Sequence, residues 1–144
     1  MKAQIVFLVE DDPQAVILLR RTFKKCGFDV TVTVASDGAE ALEYLLGATT
    51  GDQTIQELPA LVLLDLDLPK VHGFEVLKRL RANKRTKALP IVILTSSRDV
   101  DPSAGFTLGA NSFLRKPLNF DEFSRALVAI GLAGLGNPVA SEKN

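Results

Sequence analysis

Carboxylates directly follow two of the apolar runs in this sequence. Glu10 and Asp11 come after the run at 5–9, and Asp65 comes after the run at 61–64. Carboxylates that lie close together repel one another and raise one another's pKa. A hard divalent cation removes this conflict, and Mg²⁺ prefers oxygen ligands that include a few protein carboxylates. If the fold brings the two acidic segments together, these residue types predict a Mg²⁺ site.

A metal-bound Asp65 would stay ionised and could attack phosphorus, which gives an aspartyl phosphate. The new phosphoryl group would need a positive charge and hydrogen-bond donors beside it. Lys116, after the fifth apolar run, offers a compact charge, and Thr95, at the end of the fourth, offers a hydroxyl. Each residue alone is more often a helix cap or a loop residue. Their combination predicts that Asp65, Thr95 and Lys116 carry out a reversible phosphorylation.

Five short apolar runs must position these residues. They span residues 5–9, 30–34, 61–64, 91–94 and 113–114. Four of them are nearly continuous or very short, which is typical of strands that are covered on both faces. In the second run valines alternate with Thr31 and Thr33, the pattern of a half-exposed strand at a sheet edge.

Helical patterns lie between the runs. Apolar residues recur at spacings of three and four in the segments 15–26, 41–46, 74–80 and 120–130. The helix after Pro102 is the weakest prediction, because Gly105 and Gly109 lower its propensity. Asp12 and Asn119 are predicted helix N-caps.

Alternating strands and helices imply a parallel sheet with right-handed crossovers. We therefore predict an α/β fold, a flavodoxin-like doubly wound five-stranded parallel sheet of order 2-1-3-4-5. In such sheets ligands bind beyond the carboxyl ends of the strands, at the switch point between strands one and three. The acids, the lysine and the threonine should meet in that crevice.

Length and composition limit the possible functions. The 144 residues fit one domain, predicted at 1–131, with a short tail at 132–144. The net charge of zero gives no reason to expect nucleic-acid or membrane binding, and the basic residues at 78–87 are predicted to form a solvated helix face and loop. The single Cys26, the lack of a long apolar stretch and an N-terminus unlike a signal peptide predict a cytoplasmic protein.

Four motifs resemble the receiver domain of two-component response regulators, over about residues 4–131. They are Val9-Glu10-Asp11-Asp12-Pro13, Leu64-Asp65-Leu66-Asp67-Leu68-Pro69 followed by Gly73, Leu94-Thr95-Ser96, and Gly109-Ala110-Asn111-Ser112-Phe113-Leu114-Arg115-Lys116-Pro117. The resemblance implies that Asp65 is the phosphoacceptor of a signalling protein that catalyses only its own phosphorylation and dephosphorylation. Its phosphoryl donor would be a sensor histidine kinase.

The resemblance also implies a role for each neighbour of Asp65. Asp11 would bind Mg²⁺ directly, Glu10 through water, and Asp67 through its backbone carbonyl. The Lys116-Pro117 bond would be cis, a conformation largely confined to bonds that precede proline. We hypothesise that the Asp67 carboxylate faces the access route to Asp65, where it repels anionic donors or orients the hydrolytic water.

Thr95 and Phe113 match the two switch positions of the family. Thr95 would move toward the phosphoryl group and open space into which Phe113 swings. Phe113 has no hydroxyl, so its inward position would depend on packing alone.

The resemblance to this family also implies partners. The short form, the predicted loop at 47–59 and the segment 111–120 resemble regulators paired with phytochrome histidine kinases. The output would be phosphorylation-dependent protein contacts, among them a homodimer through helix 4, strand 5 and helix 5. The candidate dimer residues are Phe106, Leu114, Phe120, Leu132, Leu135 and Val139.

Three alternatives stay open at this point. Asp65-Leu66-Asp67 also resembles the nucleophile and acid/base pair of haloacid dehalogenase phosphatases, although that family places its nucleophile on the first strand. A flavodoxin-like cofactor binder would need a hydroxyl- and glycine-rich loop after strand one, where acids lie instead. A degenerate receiver would act only as an interaction module. His72, the only histidine, is predicted to have a surface-loop role.

Overall fold

The computed structural model describes residues 4–47, 58–68 and 71–131, in which five strands and five helices alternate. The strands are β1 (Gln4–Val9), β2 (Val30–Ala35), β3 (Leu61–Asp65), β4 (Ile91–Thr95) and β5 (Ser112–Arg115). The helices are α1 (Pro13–Lys25), α2 (Gly38–Leu45), α3 (Gly73–Ala82), α4 (Pro102–Thr107) and α5 (Phe120–Ala129). Every predicted strand and helix is present, including α4.

The strands form one parallel sheet in the order β2-β1-β3-β4-β5, which confirms the predicted doubly wound topology. In the register of the sheet, Val9 at the end of β1 lies beside Leu64, one residue before the end of β3. The next residues along the two strands are Glu10 and Asp65, so the carboxyl ends of β1 and β3 place them side by side. The edge strand β2 is partly exposed along most of its length, as its alternating sequence predicted.

Alternate residues of a strand point to opposite faces of the sheet, and helices cover both faces. On one side, Leu8, Leu63 and Leu94 pack in a cluster with Phe23 of α1 and Phe123 of α5. On the other side, the cluster contains Phe7, Leu64 and Ile93 of the sheet and Leu42, Leu77 and Leu80 of α2 and α3. A Leu or Phe side chain buried in this way contributes roughly 1.5–3 kcal/mol. The two layers of helices hold the carboxyl ends of β1, β3, β4 and β5 at one edge of a rigid sheet.

Side-chain caps begin the helices at the predicted residues. Asp12 accepts a hydrogen bond from the Gln14 backbone N–H at 3.0 Å, and Asn119 accepts one from that of Glu122 at 2.9 Å.

In α4, a Cβ added at Gly105 would lie 2.9 Å from Cδ1 of Ile93, so glycine allows this helix to approach β4 closely. The residue that weakens the helix in sequence is therefore the one that lets it pack.

Arg81 corrects the expectation that the basic residues at 78–87 are only a solvated face and loop. Its guanidinium donates to the Gly109 carbonyl through Nε at 2.9 Å and Nη2 at 2.8 Å, and to Asn111 Oδ1 at 3.0 Å. The same Asn111 oxygen accepts from the Ile91 backbone N–H at 2.8 Å. Arg81 thus fixes the turn that leads from α4 into β5.

Within the described ranges no helix combines the length and apolarity needed to cross a bilayer. Most of the predicted loop at 47–59 and the whole predicted tail at 132–144 lie outside those ranges. The domain boundary at residue 131 accordingly stays a prediction.

Candidate functional site

Three carboxylates meet where β1 and β3 end. Glu10 and Asp65 are buried, with 3% and 4% of their surface exposed, while Asp11 is exposed. One carboxylate oxygen from each of the three lies within 4.8 Å of the others. The sheet therefore brings together the predicted acidic residues. Three hard oxygen donors at this separation, one of them open to solvent, fit the ligand chemistry of Mg²⁺.

Lys116 reaches the same cluster from the end of β5. Its Nζ donates to Glu10 Oε1 at 2.9 Å and lies 3.4 Å from Asp65 Oδ2. The peptide bond from Lys116 to Pro117 is cis, as the resemblance implied. The ammonium group thus bridges a predicted metal ligand and the predicted phosphoacceptor.

Burial and the charges in the cluster together shift two pKa values. Burial, together with the nearby charge of Asp65, raises the pKa of Glu10 above its ordinary value, although Lys116 opposes the shift. Burial alone would lower the pKa of Lys116, but the carboxylates of Glu10 and Asp65 raise it. Lys116 therefore stays charged at neutral pH, whereas Glu10 is a carboxylate that a further cation would stabilise.

The loop after β3 orients Asp65. Asp65 Oδ1 accepts a hydrogen bond from the Asp67 backbone N–H at 3.1 Å. Gly73 begins α3 against this loop, and a Cβ there would lie 2.7 Å from Leu66 Cα and 2.8 Å from the Asp65 carbonyl oxygen. The glycine that follows the acidic motif is needed for this close approach. The Asp67 side chain is exposed, and coordination through its backbone carbonyl stays a prediction.

Thr95 ends β4, and Phe113 lies on the neighbouring strand β5. Thr95 is fully buried, and its Oγ1 accepts a hydrogen bond from the Ser97 backbone N–H at 3.0 Å. Phe113 is half-buried and packs against the cluster that contains Ile93. A Cβ at Gly105 would lie 3.4 Å from its ring, so this small residue makes room for the aromatic side chain beneath α4.

Two residues have roles that the sequence did not predict. The guanidinium of Arg115 lies 5.4 Å from the centre of the Phe113 ring and contacts the loop after β4. A charged residue before Lys116 carries no signal in the sequence, because its contacts come from a distant loop. His72, predicted to lie in a surface loop, caps α3 by accepting from the Phe74 N–H at 3.0 Å.

The family described as "Response regulator receiver domain" matches residues 6–128. The chain belongs to this family. The fold and the arrangement of the acidic cluster agree with this match, which covers all five strands except the first residues of β1.

Similar proteins extend the comparison. The chain is 39% identical over 133 residues to the probable methanogenesis regulatory protein FilR2 of Methanothrix harundinacea. The aligned region covers 92% of this chain and 84% of FilR2. The chain is 38% identical to the bacteriophytochrome response regulator AtBRR, with a TM-score of 0.78 and coverage of 92% and 95%. The Mn²⁺-bound response regulator Rcp1 of Synechocystis is 31% identical, with a TM-score of 0.73 and coverage of 92% and 94%. Several other curated relatives are longer, and the chain spans 44% to 49% of their length.

The phosphatase and cofactor-binding alternatives lose their support in this receiver domain. Asp65 ends β3, the central strand of the sheet, whereas a haloacid dehalogenase nucleophile would follow the first strand. The loop after β1 carries Glu10 and Asp11 in place of a phosphate-binding loop.

The candidate dimer residues need one correction: Leu114 is only 4% exposed, so it belongs to the core and cannot form part of a dimer surface.

Proposed function

We propose that this receiver domain accepts a phosphoryl group on Asp65 from a partner sensor histidine kinase, with Mg²⁺ bound beside it. The observation that carries the proposal is the position of Asp65, which shares one cluster with Glu10 and Asp11 and lies 3.4 Å from Lys116 Nζ. A phosphoacceptor needs this combination of metal ligands on one side and a fixed positive charge on the other. A degenerate receiver that acted only as an interaction module would not need this combination of groups.

The chain's own residues would carry the reaction. A carboxylate oxygen of Asp65 forms the bond to phosphorus as the bond from phosphorus to the kinase histidine nitrogen breaks. The Asp67 N–H holds Asp65 Oδ1, and Lys116 neutralises the negative charge that the phosphoryl group brings. Thr95 donates its hydroxyl to a phosphoryl oxygen.

Glu10, Asp11 and Asp65 would hold the divalent cation, with the Asp67 backbone carbonyl as a further ligand. A Mg²⁺ ion bound there would neutralise the carboxylates and polarise the transferring phosphoryl group. Two similar receiver domains support this assignment: Rcp1 has been crystallised with Mn²⁺, and that of the kinase PA1611, 25% identical, with Mg²⁺ in its active-site cleft.

The direct test is the stoichiometry of phosphate incorporation. Incubation with acetyl phosphate and Mg²⁺ should add one phosphoryl group per chain. A generic phosphate ester should not be turned over, because the domain acts on its own Asp65 and not on external substrates. Sustained hydrolysis of the ester would contradict the proposal.

Asp11→Asn is expected to lower the affinity for Mg²⁺ by at least about tenfold, the low end of what even an outer-shell change costs. Because Asp11 is exposed, the core is not disturbed, and removal of one of three repelling charges should raise the unfolding temperature of the metal-free protein. Thermal unfolding over a Mg²⁺ titration measures both effects.

Asp12→Asn is the matched control for this experiment. It removes the same charge one residue later, and asparagine caps a helix about as well as aspartate. Its response to Mg²⁺ should be that of the wild type. Equal stabilisation of Asp11→Asn and the wild type by Mg²⁺ would remove Asp11 from the metal site.

Asp67 is proposed to influence the loss of the phosphoryl group. Its exposed side chain follows Asp65 by two residues, where a carboxylate can repel anions or orient water. Asp67→Ala should therefore change the rate of autodephosphorylation, measured as the decay of the phosphorylated mass after the donor is removed. An unchanged decay rate would exclude this role.

We infer that the donor is a phytochrome histidine kinase. AtBRR and RtBRR, 38% and 35% identical to this chain, are bacteriophytochrome response regulators, which supports the inference. Transfer from a phosphorylated phytochrome kinase should be faster than transfer from an unrelated histidine kinase. Equal rates would contradict the assignment.

A homodimer through α4, β5 and α5 is the proposed output. Phe106 on α4 and Phe120 on α5 support it, being 50% and 46% exposed, while the candidate tail residues lie outside the described ranges. Sedimentation of the wild type should show a larger mass with a phosphoryl mimic than without it. Phe106→Ser should show a smaller increase in mass. Leu18→Ser, on the exposed face of α1, serves as control. Identical masses in both states would exclude phosphorylation-linked dimerisation.

A further inference from the structure

Arg115 connects the end of β5 to the loop between β4 and α4. Its Nη2 donates to the Val100 carbonyl at 2.9 Å, and its Nη1 donates to the Ser97 carbonyl. Both carbonyls belong to the segment 96–101, which follows Thr95. A planar guanidinium can bind two separate acceptors in a fixed geometry, and hydrogen bonds from a charged donor are roughly twice as strong as those between neutral groups. Arg115 thus fixes the position of this loop.

The same loop is also attached to the Thr95 hydroxyl. The Ser97 N–H donates to Thr95 Oγ1 at 3.0 Å, while the Ser97 carbonyl accepts from Arg115. Ser97 is therefore bound through its N–H to Thr95 and through its carbonyl to Arg115. Thr95 and Arg115 are also paired in the register of β4 and β5. A displacement of the Thr95 hydroxyl that keeps its bond to Ser97 must also move Ser97, whose carbonyl Arg115 binds.

Arg115 also lies against the aromatic residue of the switch. Its guanidinium carbon is 5.4 Å from the centre of the Phe113 ring, within the range of a cation–π contact. Phe113 has no hydroxyl with which to bind the loop itself. The polar connection between β5 and the loop is made instead by the residue two positions later.

We propose that Arg115 is a positioning residue that holds the β4–α4 loop, and through Ser97 the Thr95 hydroxyl, in the placement of the unphosphorylated protein. The inference rests on the proposed phosphorylation of Asp65. Arg115 favours one of two loop placements, so its removal raises the population of the other. Loss of Arg115 should then strengthen the binding of a phosphoryl group or its mimic at Asp65.

The experiment measures the affinity for beryllofluoride, a phosphoryl mimic, by calorimetry at saturating Mg²⁺. Arg115→Ala and Arg115→Lys should both bind it more tightly, by at least about fivefold, the lower end of typical coupling between sites. Arg115→Lys keeps the charge but loses the planar two-pronged donor. Arg98→Ala, which removes an exposed arginine from the same loop, should bind as the wild type does.

Two further measurements separate a positioning role from a general loss of structure. The affinity for Mg²⁺ alone should be the same in all variants, because the acidic cluster does not include the loop. In a Thr95→Ala background, Arg115→Ala should have no further effect on beryllofluoride binding, since the hydroxyl through which it acts is gone. If Arg115→Ala does not fold, Arg115→Lys gives the answer.

Unchanged or weaker beryllofluoride binding in the Arg115 variants would overturn the inference. An equal gain in the Thr95→Ala background would also overturn it, because Arg115 would then act independently of the hydroxyl. These results leave the proposed function intact as long as the wild type binds the mimic. A wild type that binds no beryllofluoride and takes up no phosphoryl group would overturn the proposed function and this inference with it.

Discussion

Replacing Asp65 with asparagine is expected to abolish the uptake of a phosphoryl group from acetyl phosphate. The amide is isosteric with the carboxylate but is not a nucleophile toward phosphorus, and it replaces one of the three carboxylates that would hold the metal. The asparagine can still accept the hydrogen bond from the Asp67 N–H, so the loop should keep its conformation. Intact-mass measurement after incubation with Mg²⁺ and acetyl phosphate detects the difference.

Asp67→Asn is the matched control for Asp65→Asn. It makes the same chemical change two residues away, at an exposed side chain that is not part of the carboxylate cluster found among the described residues. It should still take up one phosphoryl group, although the proposed role of Asp67 predicts that it loses the group at a different rate. Uptake by Asp65→Asn equal to that of the control would place the acceptor elsewhere.

Lys116→Ala is expected to slow phosphoryl transfer to Asp65 by about 10²–10³-fold, the usual cost of removing a preorganised group that stabilises developing charge. Lys116 Nζ lies 2.9 Å from Glu10 and 3.4 Å from Asp65, so no movement is needed to place its charge beside the acceptor. Its loss also leaves Glu10 buried without its cation. The pKa of Glu10, already raised by burial, should then rise further.

Initial rates of mass gain at saturating Mg²⁺ give the measurement. Saturating metal keeps the protonation of Glu10 from dominating the comparison. Lys78→Ala, which removes an exposed lysine from α3, controls for the change in net charge. Equal rates in the wild type and Lys116→Ala would show that the ammonium takes no part in the transfer.

The architecture was predictable because it depends on local patterns. Short apolar runs that alternate with amphipathic segments determined the strands and helices, and the capping side chains of Asp12 and Asn119 act through neighbours two or three residues away. The carboxylate cluster was predictable for a topological reason. In a parallel sheet the residues after β1 and β3 must meet once the strand order is known.

What the sequence did not reveal depends on contacts between distant segments. Arg81 binds a turn 28 residues away, and Arg115 binds a loop 15 to 18 residues before it. Nothing in the local pattern separates these arginines from their solvated neighbours. Leu114 was misassigned to a surface because a strand of four residues is too short to show which face of the sheet each side chain covers.

Locating the phosphoryl group in the chain tests the proposed phosphorylation of Asp65 most directly. Wild-type protein treated with acetyl phosphate and Mg²⁺ is reduced with borohydride, which converts an aspartyl phosphate to homoserine, and its peptides are sequenced by mass spectrometry. We expect homoserine at position 65 and unmodified aspartate at positions 11 and 67. Modification at another residue, or none at Asp65 under conditions that saturate Mg²⁺, would contradict the proposal.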